Sequence, residues 1–388
     1  MQGAGYFNAE TGGIDELVAL TGRVLDPALL TYADSVERNV PIYDIPALDA
    51  VLGDVRQRRA LMAEWAGILR TGSGALLLKS AVSDLSVIDR VTQVFERIIA
   101  SERGEKGGGA DHFAAAGAND RIWNAAQKLC LADPQAFALY HASPGLDAVC
   151  EAWLGPYYQM TAQVNLVRPG GAAQTVHRDY HLGFQGADIA ARFPAHVHEL
   201  SAALTLQGAI AHCDMPVDSG TTRLLPFSQL FAPGYLAYRR PEAARLFEAQ
   251  AVQLPLYKGD ALFFNPALFH GAGENRTPAT HRLANLLQVS SAFGRAMESL
   301  DRTAMCKALY PALMALKARG RLTEAGLAAA VAAAAEGYSF PTNLDTDPPS
   351  GGLAPQTQAA LLFRALKDGL TPELFARQLD ALARRRAP

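Results

Sequence analysis

Two short stretches, far apart in the chain, constrain its fold more than any other feature. QTVHRDYH, residues 174–181, carries His177 and Asp179 two positions apart, and in an extended strand such side chains point to one side. GDALFFNPALFHGAGENR carries His270, far downstream. Two imidazoles and a carboxylate on one face of an ion, with the other positions open, suit non-haem Fe(II) oxygen chemistry. Only a scaffold that brings remote strands together can assemble them. The tripeptide alone also has a plainer reading, a buried hydrogen-bonded His177–Asp179 pair on a strand.

The residues after His270 favour the metal reading. GAGENRTPAT supplies Gly271, Gly273, Asn275 and Pro278, turn formers for steric reasons, and HRLANLLQVS follows as an apolar strand. Strand, long turn and returning strand bring Arg282 back close to His270. A guanidinium there could hold a carboxylate by two parallel hydrogen bonds. A dicarboxylic 2-oxo acid could then chelate the ion at one end and pair with the arginine at the other. The alternative for Arg282 is a surface arginine at a strand end.

QVNLVRPGGAAQTVHRDY, the apolar strand before His270 and HGAGENRTPATHR resemble the phytanoyl-CoA dioxygenase family of Fe(II)- and 2-oxoglutarate-dependent oxygenases, over about residues 161–290. The resemblance implies an α+β chain built on a double-stranded β-helix, a jelly-roll or cupin-like barrel with iron at one mouth. By position it assigns His177, Asp179 and His270 to the iron and to catalysis, and Arg282 to the distal carboxylate of 2-oxoglutarate. Asn165 matches an asparagine that holds the same cosubstrate in some relatives. It further implies O2 as cosubstrate, succinate and CO2 as products, and hydroxylation or a related oxidation of a C–H bond in a small organic molecule. Related halogenases have Ala or Gly at the position of Asp179, so the carboxylate favours hydroxylation over halogenation.

The chain departs from the family pattern in three places. The interval from His270 to Arg282 is one residue longer than usual, which leaves Arg276 as a rival anchor. Ala272 stands where Ser is common, and PFSQ (Pro226–Gln229) replaces a frequent Pro-Gly-Ser-His.

In TAQVNLVRP, Gln163 and Asn165 alternate with apolar residues. That marks either the polar inner face of a barrel or an exposed edge strand. Gln163, His181 and Phe184 are the candidate substrate contacts, with His181 read as continuing the alternation of His177 and Asp179. The stretch LGFQGADIAARFPAHVHEL is a candidate lid. Its His196-x-His198-Glu199 is only a weak match to a cupin metal motif.

The formal net charge of −3, with 19% charged residues and no long basic block, disfavours nucleic acid as a partner. Four cysteines without metal spacing suit a reducing compartment. The N-terminus lacks a signal-peptide pattern, and the apolar run Leu327–Ala335 is too short to span a bilayer. A soluble cytoplasmic enzyme with no membrane partner is expected.

Residues 1–155 read as a helix-rich part packing on the barrel, 156–295 as the β-helix core and 296–388 as a helical extension, together one integrated unit. Within the first part, SDLSVIDRVTQVFERIIA is a helix with Ser86 and Asp89 as a capping box, and Ser101–Asp111 reads as a loop. SAALTLQGAIAHCD reads as a strand. In the extension, Asp345–Pro355 reads as a linker and Arg384–Arg386 as a solvated helix end. The extension could support a homo-oligomer. Two further functional classes stay open: a β-helix that binds metal without turnover, and a cupin-type metal-dependent hydrolase or isomerase.

Overall fold

A computed structural model describes residues 5–106, 119–349 and 351–387. Its strands are β1 (Ser35–Glu37), β2 (Val40–Asp44), β3 (Ala75–Lys79), β4 (Asn119–Ile122), β5 (Gln159–Val167), β6 (Thr205–Ala211), β7 (Thr222–Leu225), β8 (Ala261–Phe264), β9 (Phe269–Ala272) and β10 (Arg282–Ser290). Eight of them form one sheet in the order β1-β2-β3-β8-β6-β10-β5-β4, while β7 and β9 form a second. Single bridges widen the small sheet on both sides, Leu224 to Val252 and His270 to His177.

From β5 onward the chain therefore alternates between layers. It passes from β5 to the His177 segment, back to β6, across to β7 and Val252, back to β8, across to β9 and back to β10. That winding is the double-stranded β-helix expected from the sequence. The two layers remain separate sheets, so the barrel is flattened and not closed.

Period-two alternation gives the central strands two different faces. Met160, Ala162 and Val164 of β5, Leu206 and Ile210 of β6, and Leu283, Leu287 and Val289 of β10 join a large apolar cluster under the helices. That cluster draws Trp65 and Phe95 from the N-terminal helices, Phe137 from the middle ones, and Leu309 and Phe375 from the C-terminal ones. The opposite face meets the small sheet. At one end it is apolar, with Ala211, Leu262, Phe264 and Leu224 packed together; elsewhere it carries Gln163, Asn165, Gln207 and Gln288.

Several local readings change. The helix Leu85–Lys106 is capped by Asp84, whose Oδ1 accepts from the Ser86 amide at 3.0 Å. Asp89 pairs instead with Lys258. A capping side chain must sit outside the first turn, and Asp84 does. Residues 101–106 continue that helix, through Gly104, and the rest of the expected loop lies outside the described residues. Ser201–Ala203 ends the helix Ala195–Ala203, so β6 starts only at Thr205. Arg385 and Arg386 do not form a free helix end: both reach buried Asp347 of the linker, at 3.0 and 3.5 Å.

Candidate metal centre

His177 and His270 meet across the gap between their strands. The His177 amide donates to the His270 carbonyl at 3.0 Å and the His270 amide to the His177 carbonyl at 3.1 Å. This exchange brings the rings to 4.4 Å between centroids. Each Nδ1 lies near the carbonyl oxygen two residues earlier, Thr175 at 2.9 Å and Leu268 at 2.8 Å. A carbonyl only accepts, so the proton sits on Nδ1 and the lone pair on Nε2.

Both Nε2 atoms are directed at Asp179: His270 Nε2 is 3.3 Å from Oδ2 and His177 Nε2 is 3.7 Å from Oδ1. Candidate ligand atoms from all three residues lie within 4.8 Å of one another. Gln207 Nε2 donates to Asp179 Oδ2 at 2.5 Å. Burial by itself would raise the Asp179 carboxyl, but the close approach of His270, the two imidazoles together and the Gln207 hydrogen bond outweigh it. The group is held well below the usual carboxylate range. Burial, reinforced by His270, lowers His177 against the pull of Asp179. Two neutral imidazole lone pairs and one carboxylate form a donor set that fits a divalent transition metal.

Arg282 is 7% exposed, and among the described residues no acidic side chain pairs with it. Its Nη1 donates to the Ser219 carbonyl at 3.2 Å. Burial lowers it to about 10, which leaves it cationic at neutral pH. Ser219 Oγ, Thr221 Oγ1, Asn165 Oδ1 and Gln207 Oε1 are buried without hydrogen-bond partners among the described residues, and a buried polar group without a partner is costly. Between Gln207 and Arg282 the inward positions of β6 and β10 are Ala209, Ala211, Ala284 and Leu286, three of them small. Arg276, in contrast, is exposed, and its backbone amide bonds Asp218.

The inward position of Gln163 agrees with the polar-face reading: Arg121 Nη1 donates to its Oε1 at 3.3 Å, and its Nε2 lies 3.2 Å from Met297 Sδ. His181 does not continue the alternation. Tyr180 takes φ 50° and the Gly183 amide closes a turn on its carbonyl, so the strand ends at Asp179. His181 and exposed Phe184 instead flank the Tyr180 ring, at 5.9 and 5.7 Å. The Tyr180 hydroxyl donates to Gln288 Oε1 at 2.5 Å. In the expected lid, His198 is buried, with Nε2 3.1 Å from the Ala190 carbonyl, and it does not belong to the group of His177, Asp179 and His270.

The sequence reading missed Gln207 and Arg178. A polar residue alternating with apolar ones on β6 was a usable signal for Gln207. Nothing in the chain text marks Arg178 as buried. In the PFSQ turn, Phe227 keeps a left-handed backbone, φ 67°, where the family pattern has Gly.

A double-stranded β-helix that closes a His-x-Asp pair against a distant histidine defines a class of metal-binding jelly rolls. Within that class, a family model described as "Phytanoyl-CoA dioxygenase (PhyH)" matches residues 72–284. The match covers more than half of the chain, so the chain belongs to the phytanoyl-CoA dioxygenase family.

Dioxygenase trt7 of Aspergillus terreus (strain NIH 2624 / FGSC A1156) is 31% identical over 144 residues, covering 37% of this chain and 44% of that protein. Dioxygenase andF of Emericella variicolor is 29% identical over 146 residues, 36% of this chain and 45% of that protein. The chain thus spans less than half the length of these curated relatives. Among solved structures, the epimerase SnoN in complex with Fe3+, alpha ketoglutarate and nogalamycin RO aligns with a TM-score of 0.43 and 19% identity, over 60% of this chain and 85% of that one.

Proposed function

We propose that this chain is an Fe(II)- and 2-oxoglutarate-dependent oxygenase that oxidises a C–H bond of a small organic substrate, with His177, Asp179 and His270 holding the metal. The observation that carries the reading is the convergence of both Nε2 lone pairs on the Asp179 carboxylate. When bound, Fe(II) with 2-oxoglutarate supplies the oxidising power for C–H cleavage from O2, with succinate and CO2 as by-products.

The residues of the chain bind and orient. The Thr175 and Leu268 carbonyls fix the two rings and keep their lone pairs inward. Gln207 holds one Asp179 oxygen so that the other keeps its direction. Arg282, buried without an acidic partner, receives the distal carboxylate of 2-oxoglutarate, and the unpartnered oxygens of Asn165, Ser219 and Thr221 lie among the groups available to bound polar atoms. Gln163, His181 and Phe184 contact the substrate at the open end, where Phe184 is exposed. The apolar packing between the sheets closes the other end against water.

Two measurements test this. Anaerobic addition of Fe(II) and then 2-oxoglutarate to the metal-free protein should produce the weak visible charge-transfer band of a chelated 2-oxo acid. Admission of O2 with a substrate drawn from a compound panel should release succinate in step with O2 uptake. A band without any succinate would leave a metal-binding protein, and turnover without O2 uptake would indicate a hydrolase or isomerase.

A further inference from the structure

Arg178 lies between two of the candidate ligands in sequence and points the opposite way, as alternation along an extended segment requires. It is 2% exposed, one of the largest fully buried side chains of the protein. Among the described residues no carboxylate pairs with it. Its Nη2 donates to the Ser228 carbonyl at 2.6 Å and to the Phe231 carbonyl at 2.9 Å. The guanidinium carbon lies 5.2 Å from the Tyr235 ring centre and 5.0 Å from that of Phe269, close enough for cation–π attraction.

These contacts reach both halves of the metal site. Phe269 precedes His270, and its amide donates to Ser228 Oγ at 2.8 Å, while that hydroxyl donates to the Leu225 carbonyl at 2.6 Å. Ser228 thus ties the Arg178 segment through its carbonyl and the His270 strand through its hydroxyl. Gly234 leaves the room: a Cβ there would fall 2.0 Å from the Arg178 guanidinium carbon. The residues of 226–235 therefore form a socket for this one side chain.

We propose that Arg178 is a positioning residue for the metal centre, locking the His177–Asp179 segment to the His270 strand through the Ser228–Phe231 loop, with Gly234 kept free of a side chain to admit it. The inference rests on the proposed function only for the identity of the ligands. A residue acting this way should change metal affinity through ligand geometry, and supporting groups around a metal site typically change affinity about 10–100-fold.

The experiment is an anaerobic titration of Co(II) into metal-free full-length protein, followed by its visible d–d spectrum, for wild type, Arg178→Met, Arg178→Lys and Gly234→Ala. The thermal midpoint is measured on each sample. Leu379→Ala, in the apolar core of the C-terminal helices, serves as a control that lowers stability without touching the loop. Arg178→Met and Gly234→Ala should weaken Co(II) binding about 10–100-fold and shift the spectrum. Arg178→Lys, which keeps the cation and N–H donors but loses the planar guanidinium, should fall between wild type and Met. Leu379→Ala should lower the midpoint and leave Co(II) affinity unchanged.

Folded Arg178→Met that binds Co(II) within about twofold of wild type overturns the proposal. If that variant does not fold, Arg178→Lys and Gly234→Ala decide, and wild-type affinity in both overturns it equally. Wild-type protein that binds no Co(II) instead removes the ligand assignment itself.

Discussion

Replacing Arg282 by Met separates the two arginines that the sequence left in competition for 2-oxoglutarate. The Arg282 guanidinium is buried, and its hydrogen bond among the described residues goes to a backbone carbonyl. Its charge is therefore available to an incoming carboxylate in a site that excludes most water. Removing one partner of a buried charge pair costs about 3–5 kcal/mol, and each ~1.4 kcal/mol is a tenfold change in affinity. Arg282→Met should thus weaken 2-oxoglutarate binding by roughly two to four orders of magnitude.

Arg276 is exposed, and an exposed ion pair contributes only about 0–1 kcal/mol. Arg276→Met should change affinity less than about fivefold. The assay is titration of 2-oxoglutarate into the Fe(II)-loaded protein without O2, read from the visible band, with Fe(II) affinity measured separately. Arg282→Lys, which keeps the charge but loses the planar fork, should fall in between. The reasoning fails if Arg276→Met costs more than Arg282→Met, or if a folded Arg282→Met binds 2-oxoglutarate within about threefold of wild type.

Two further outcomes are expected. Asp179→Ala removes the one acidic member of the candidate ligand set among the described residues, and should abolish substrate-coupled turnover; unchanged succinate formation in that variant would refute the role given to the carboxylate. His141 and His212 are both 4% exposed, and burial lowers them to about 4 and about 3, with Lys258 also acting on His212. Between those values and the ordinary 6.5 the unfolded chain binds protons that the fold refuses, so stability should fall as pH drops below about 6.5, by ~1.4 kcal/mol per pH unit for each histidine. Denaturant unfolding of the metal-free protein at pH 7.5 and 5.0 should show a loss of roughly 2 kcal/mol apiece. A flat profile, or one left unaltered by His212→Gln, would contradict this.

How much of the site was legible follows from what period-two alternation encodes. His177 and Asp179 share a face because the backbone between them is extended, and Gln163 and Asn165 turn inward for the same reason. The alternation misleads at His181 because it carries no information about where a strand ends: the left-handed Tyr180 and the turn closed by Gly183 stop it one residue after Asp179. The helix cap at Asp84 was misassigned to Ser86 because both residues are capping types, and only the path of the backbone chooses between them. Arg178 was illegible for a deeper reason. A buried arginine reads like any surface arginine until the socket around it is known, and that socket comes from residues 226–235 and 269.

The helices remote from the metal centre act on it through strand register. On β6 and β10 the residues that pack against them, Leu206, Ile210, Leu283, Leu287 and Val289, alternate with those that face the site: Gln207, Arg282, Ala284 and Gln288. A slip of one residue would exchange the two sets, placing Arg282 and Gln288 in the apolar cluster and leucines on the face that carries Gln207. Burying a large apolar side chain contributes about 1.5–3 kcal/mol, so five such anchors penalise the slipped register heavily. The register that sets Gln207 against Asp179 is thus held from the far side of the sheet. The C-terminal helices, which contribute Leu309 and Phe375 to that cluster, share in fixing this register as a whole, so a single truncation among them lowers stability without shifting the strands.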